Sequence, residues 1–174
     1  MKLLLIILII GLRFLLPVLL MMWPFFAGWA NFFLDSFDGD ILLPLGLDDY
    51  NYQTLDKFAD YFTYIMMLVV GRKLPIKKEI YATFILRSIG QILFLFTRNE
   101  LMLFFFPNLL EPLFLIFFTL TFRYKSTSKA YRTYFNHRWK IWAFIGLYKF
   151  QDEWITHVGN IDRSNLIKYF MRRT

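Results

Sequence analysis

Four carboxylates lie at helical intervals between two apolar stretches, and this arrangement limits what the chain can fold into more than any other feature. The text runs Asp35-Ser36-Phe37-Asp38-Gly39-Asp40, then a loop, then Leu55-Asp56-Lys57-Phe58-Ala59-Asp60. Asp35 and Asp38 are three residues apart and Asp56 and Asp60 four, so each pair projects from one face of its own helix. Two such helices side by side converge four carboxylates on one cavity. Carboxylates at membrane depth are costly unless they face water or protein and bind something positive. With all-oxygen ligands the expected occupant is a divalent cation, Mg, Mn or Ca. Spacing alone leaves open the alternative of helix-end aspartates paired with Lys or Arg.

The remainder of the chain supports a membrane setting. Of 174 residues, 57% are hydrophobic and 21% aromatic, with a mean hydropathy of +0.44, too little polar surface to cover a soluble globule. The expected fold is all-α: a polytopic membrane helix bundle with five to six transmembrane helices, forming a single integral membrane domain over residues 1–174. Cysteine is absent, which excludes disulfides, thiolate catalysis and cysteine-ligated zinc. The net charge of +7 sits in short blocks flanking apolar helices, where anionic headgroups explain it better than nucleic acid does. Membrane lipids are therefore expected partners and nucleic acid is not.

In chain order, residues 3–22 form an apolar run long enough to span a bilayer, interrupted by Arg13 and Pro17. No small-residue cleavage site follows its apolar core, so it reads as a retained helix. Arg13 serves the site or is an arginine snorkelling or paired within the bundle. After Trp23-Pro24, residues 25–38 form a second helix whose Ala27, Gly28 and Ala30 permit close contact. Residues 40–52, with Pro44, Gly46, Asp48 and Asp49, read as a polar loop, the last two as a solvated turn or helix cap rather than ligands. A third helix over 53–70 places Asp56 and Asp60 at the same membrane face as Asp35 and Asp38. Gly71 to Lys78 is a basic loop at the opposite face. The fourth helix, 80–97, carries Arg87 and Gln91 and ends at Arg98, and the three fall on one stripe suited to a phosphate-bearing substrate. Neutralisation of Arg87 by a carboxylate such as Glu111 is the competing reading. A fifth helix is expected over 101–121, interrupted by Pro107, Asn108, Glu111 and Pro112, and a basic loop from Arg123 to Arg132. Residues 139–158 form either a sixth span or an interfacial amphipathic helix. His137 and His157 have no partner at ligand spacing, and Arg172-Arg173 is a basic tail.

The carboxylate spacing resembles the signature of the CDP-alcohol phosphatidyltransferases, D-x2-D-G-x2-A-R-x8-G-x3-D-x3-D. Asp35, Asp38, Gly39, Asp56 and Asp60 fall in register with it, whereas its Ala-Arg pair is Leu42-Leu43 here and its second glycine is Tyr52. Arg13-Phe14-Leu15-Leu16-Pro17 is similar to an Arg and Pro on the first membrane helix of the same family. The resemblance implies Asp35, Asp38, Asp56 and Asp60 as ligands of Mg2+ or Mn2+, with Asp60 also the catalytic base. It implies a CDP-linked donor and an alcohol acceptor as partners, CMP as leaving group, and substrate contacts from Gly39, Tyr52, Arg87, Gln91 and Arg98. Six spans, a homodimer and a cytoplasm-facing active site also belong to that expectation. The positive-inside rule points the other way, since Arg72, Lys73, Lys77, Lys78, Arg123, Lys125, Lys129 and Arg132 all lie at the opposite face. Leu42, Leu43 and Tyr52 motivate the alternative of a non-catalytic or donor-altered relative acting as a membrane scaffold. Tyr52 in place of glycine either blocks the donor or stacks on its base.

Overall fold

A computed structural model describes residues 2–99 and 101–154, which form seven helices and no strand. They are α1 (Lys2–Leu19), α2 (Pro24–Leu45), α3 (Asp49–Gly71), α4 (Lys77–Thr97), α5 (Leu101–Phe105), α6 (Leu110–Tyr124) and α7 (Thr127–Glu153). The all-α expectation holds over these residues. Two of the helices, α1 and α4, are long and apolar enough to cross a membrane. His157, Arg172, Arg173 and the end of the expected segment 139–158 lie outside the described residues.

α6 is the central element, packing against α2, α3, α4 and α7, while α1 lies against α2 and α3. Its residues Leu110, Leu113, Phe114 and Phe117 are wholly buried and fill the space between these neighbours. Around it gather Leu20, Ala27, Tyr64, Met67, Ile76 and Ile80. Apart from Tyr64, one turn past Asp60, these lie at or just beyond the ends of α1 to α4 away from the aspartates, so much of the apolar core fills the other end of the bundle. Trp29 Nε1 donates to Thr119 Oγ1 at 3.0 Å and ties α2 to the central helix.

The expected loop over 40–52 is mostly helix. Leu42 is fully buried and carries the apolar pattern of α2 another turn past Asp38. The helix stops at Gly46, whose φ of 109° is left-handed, with Gly46 N–H donating to Leu43 O and Leu47 N–H to Leu42 O. This is the paired closure that glycine permits at a helix C-terminus. Asp48 then starts α3, accepting from the Asn51 amide at 3.0 Å, a bond that holds its carboxyl below the usual range. The connection between the two carboxylate-bearing helices therefore shrinks to residues 46–48.

Two more expectations are corrected. The single helix over 101–121 is broken, because Pro107 has no N–H to continue it and disfavours helical backbone at Phe106. The basic segment from Arg123 to Arg132 is not a loop: α6 runs to Tyr124, Lys125 takes a left-handed φ of 48°, and Ser126 caps α7. α7 thus begins well before residue 139.

Candidate metal centre

The carboxylates of α2 and α3 surround a single guanidinium from α1. Arg13, only 1% exposed, sets Nη1 2.5 Å from Asp35 Oδ1, Nε 2.9 Å from Asp38 Oδ2, and Nη2 2.8 Å from Asp56 Oδ1 and 3.0 Å from Asp60 Oδ1. Helical spacing explains the arrangement: Asp35 and Asp38 occupy one face of α2, Asp56 and Asp60 one face of α3, and both faces turn toward α1. Lys57 Nζ adds a further pair, 2.8 Å from Asp56 Oδ2. Four carboxylates against Arg13 and Lys57 leave a formal charge of −2 among the paired groups. Asp38 Oδ2 is buried and accepts no aligned hydrogen bond, Arg13 Nε being close but off-line.

One oxygen each from Asp35, Asp38 and Asp56 lie within 4.8 Å of one another, a span that a single divalent ion can bridge with carboxylate ligands. All donors are hard oxygens, the formal excess is two negative charges, and one buried oxygen lacks a donor. The residues therefore fit a cation such as Mg2+ or Mn2+, in competition with the Arg13 guanidinium for the same oxygens.

Tyr52 and Gly39 form one contact. Tyr52 Oη donates to Asp38 Oδ1 at 2.9 Å, and a Cβ at Gly39 would stand 2.6 Å from that hydroxyl. Glycine at position 39 thus lets the phenol lie directly against α2, and the space above Gly39 is filled by the Tyr52 ring. Leu42 is buried in the packing of α2, and Leu43 is exposed.

The stripe expected on α4 divides. Arg87 is buried and donates from Nη1 to Phe106 O at 3.0 Å and Leu103 O at 3.3 Å, while its charge still acts on Asp56. In an unbroken helix Leu103 O would accept from residue 107, but that residue is proline, so Arg87 supplies the missing donor. Its guanidinium also lies 5.9 Å from the centre of the Tyr64 ring. Glu111 receives Asn108 Nδ2 at 3.3 Å, with the Arg87 charge also acting on it, and Asn108 donates to Tyr64 Oη at 3.1 Å. Gln91 and Arg98 line a separate cavity between α3 and α4. His137 sits on α7 with Nδ1 3.0 Å from Thr133 O.

Sequence reasoning gave Lys57 no role, although its place between Asp56 and Asp60 was the available signal. It also left Arg13 without an assigned partner, because helix spacing says nothing about which neighbouring helix faces a given cluster. No family model, no curated protein and no solved structure matches this chain.

Proposed function

We propose that the chain is a multi-pass membrane protein that transfers a substituted phosphate group from a CDP-linked donor to an alcohol, with divalent metal bound at the aspartate cluster. The observation that carries this reading is the convergence of four aspartates, in register with the transferase signature, on one site with a formal excess of two negative charges. Asp35, Asp38 and Asp56 would hold Mg2+ or Mn2+, which when bound neutralises charge on the donor diphosphate. Asp60 would accept the proton of the acceptor hydroxyl as its oxygen bonds to phosphorus and the bond to CMP breaks. Arg13 would keep the aspartates oriented and balance their charge between turnovers. Tyr52 would leave Gly39 or place its ring beside the cytosine. The five-to-six-span bundle with its active site toward the cytoplasm belongs to this reading, since a nucleotide donor is found there. A large set of exposed apolar side chains supports contact with lipid, from Leu3, Leu4 and Ile7 on α1 to Ile85, Leu95 and Phe96 on α4.

A second reading rests on the same contacts. Arg13 already pairs with all four aspartates, and Tyr52 already covers Gly39. A self-neutralised cluster of this kind suits a scaffold that needs no metal. The deciding experiment measures CMP release from CDP-diacylglycerol and other CDP-alcohols by purified protein in lipid nanodiscs. The transferase reading requires release that depends on Mg2+ or Mn2+ and falls about 100-fold or more in Asp60→Asn. Absence of release in wild type, Tyr52→Gly and Leu42→Ala/Leu43→Arg/Tyr52→Gly alike leaves the scaffold.

A further inference from the structure

On a face of α3 next to that of the aspartates, with Lys57 at the boundary, a cavity of about 560 Å³ opens between α3 and α4, within the size range of small-molecule sites. Tyr50, Gln53, Thr54, Lys57, Phe58 and Tyr61 line it from α3. At 100° per residue their mean direction is turned roughly 130° from that of Tyr52, Asp56 and Asp60, so this is not the face that carries the metal ligands. The wall from α4 contains Gln91, Phe94, Leu95 and Arg98.

Three features say what it would hold. The walls are mainly aromatic and aliphatic, from Phe58, Tyr61, Phe94 and Leu95, and one of them belongs to a helix long and apolar enough to cross a membrane. Two cations line it, Lys57, whose Nζ also pairs with Asp56, and Arg98, and no carboxylate is among the described lining residues. Gln91 is 3% exposed and its Nε2 donates to no acceptor among the described residues. An amide N–H buried without an acceptor carries an uncompensated desolvation penalty, which an acceptor arriving with a ligand removes. We propose that this cavity binds a phosphate-bearing lipid, with its phosphate oxygens meeting Arg98, Lys57 and Gln91 Nε2 and its acyl chain lying on Phe58, Tyr61, Phe94 and Leu95.

The test uses full-length protein in a non-ionic detergent with EDTA, so that its result is independent of any metal-dependent transfer. Dioctanoyl phosphatidate, dioctanoylglycerol and inorganic phosphate are titrated separately, with binding read by calorimetry. The phosphatidate should bind at least about tenfold tighter than dioctanoylglycerol, and Arg98→Gln should weaken it about tenfold, as loss of one charge-assisted hydrogen bond does. Gln91→Leu should weaken phosphatidate while leaving the melting temperature equal or higher, because it removes an unmet donor. Inorganic phosphate should bind far more weakly than phosphatidate. Equal binding of phosphatidate and dioctanoylglycerol, indifference of phosphatidate to both substitutions, or phosphate binding as tightly as the lipid would each overturn the proposal.

Discussion

Among the described residues two arginines are buried, and each meets a different kind of acceptor. Arg13 on α1 meets four side-chain carboxylates from two helices, whereas Arg87 on α4 meets two backbone carbonyls at the break between α5 and α6. The first centre has more negative charge than Arg13 and Lys57 balance, which is the property the proposed metal binding would use. The second offers carbonyl dipoles left without a donor by a proline, and only a long side chain with several N–H groups fills that gap. A buried arginine thus meets side-chain carboxylates directly in one place and caps backbone carbonyls in the other.

The most disruptive way to break this comparison is Arg13→Met. Removing one partner of a buried ion cluster costs about 3–5 kcal/mol, read by unfolding in nanodiscs with EDTA. Divalent cation should then recover part of the loss, and Mn2+ should raise the melting temperature of the variant more than that of wild type, because its competitor is gone. No response of Arg13→Met to Mn2+ or Mg2+ would show that the cluster is a closed ion pair network. Arg87→Met should cost less, about 1–3 kcal/mol for carbonyls left unpaired, with a response to divalent cation equal to wild type. A changed metal response in that variant would join the two centres and end the contrast.

The contrast also explains what was legible in the sequence. Asp35, Asp38, Asp56 and Asp60 sit at intervals that only helices convert into a shared face, so the cluster could be read directly. The role of Arg87 could not, because its acceptors are backbone atoms whose availability depends on Pro107 breaking a helix of another segment. Polarity misled at residues 40–52 and 123–132 for one reason: short caps at Gly46, Asp48 and Ser126 let helices run nearly end to end, and polar residues on their exposed faces resemble loop text. Two apolar spans are evident from hydropathy in α1 and α4, whereas the remaining helices dilute the same signal with buried aspartates, prolines and lysines.

The smallest effect sharpens the comparison at its boundary, where a carboxylate serves the backbone instead of a cation. Asp48 is ionised and held below the usual carboxylate range by the Asn51 amide. Its contribution is present above the ordinary aspartate value and lost as pH falls through the lowered one. Asp48→Ala should therefore lower the melting temperature slightly at pH 7, and the gap from wild type should close as the medium is acidified. A gap that persists unchanged at low pH would mean that the Asp48 carboxylate does not support the start of α3.

All four carboxylates belong to one hairpin, α2 and α3 joined by residues 46–48, while the guanidinium that meets them comes from the helix before it. Arg13 precedes Asp35 by 22 residues, so during synthesis it emerges long before Asp60 exists to receive it. In the proposed bilayer setting, α1 alone would carry an unmatched cation at a cost of about 2.5–3.5 kcal/mol, and the hairpin alone an unmatched cluster of anions. In that setting each part lowers the other's cost, so α1, α2 and α3 would favour inserting together, their charges cancelling as they meet.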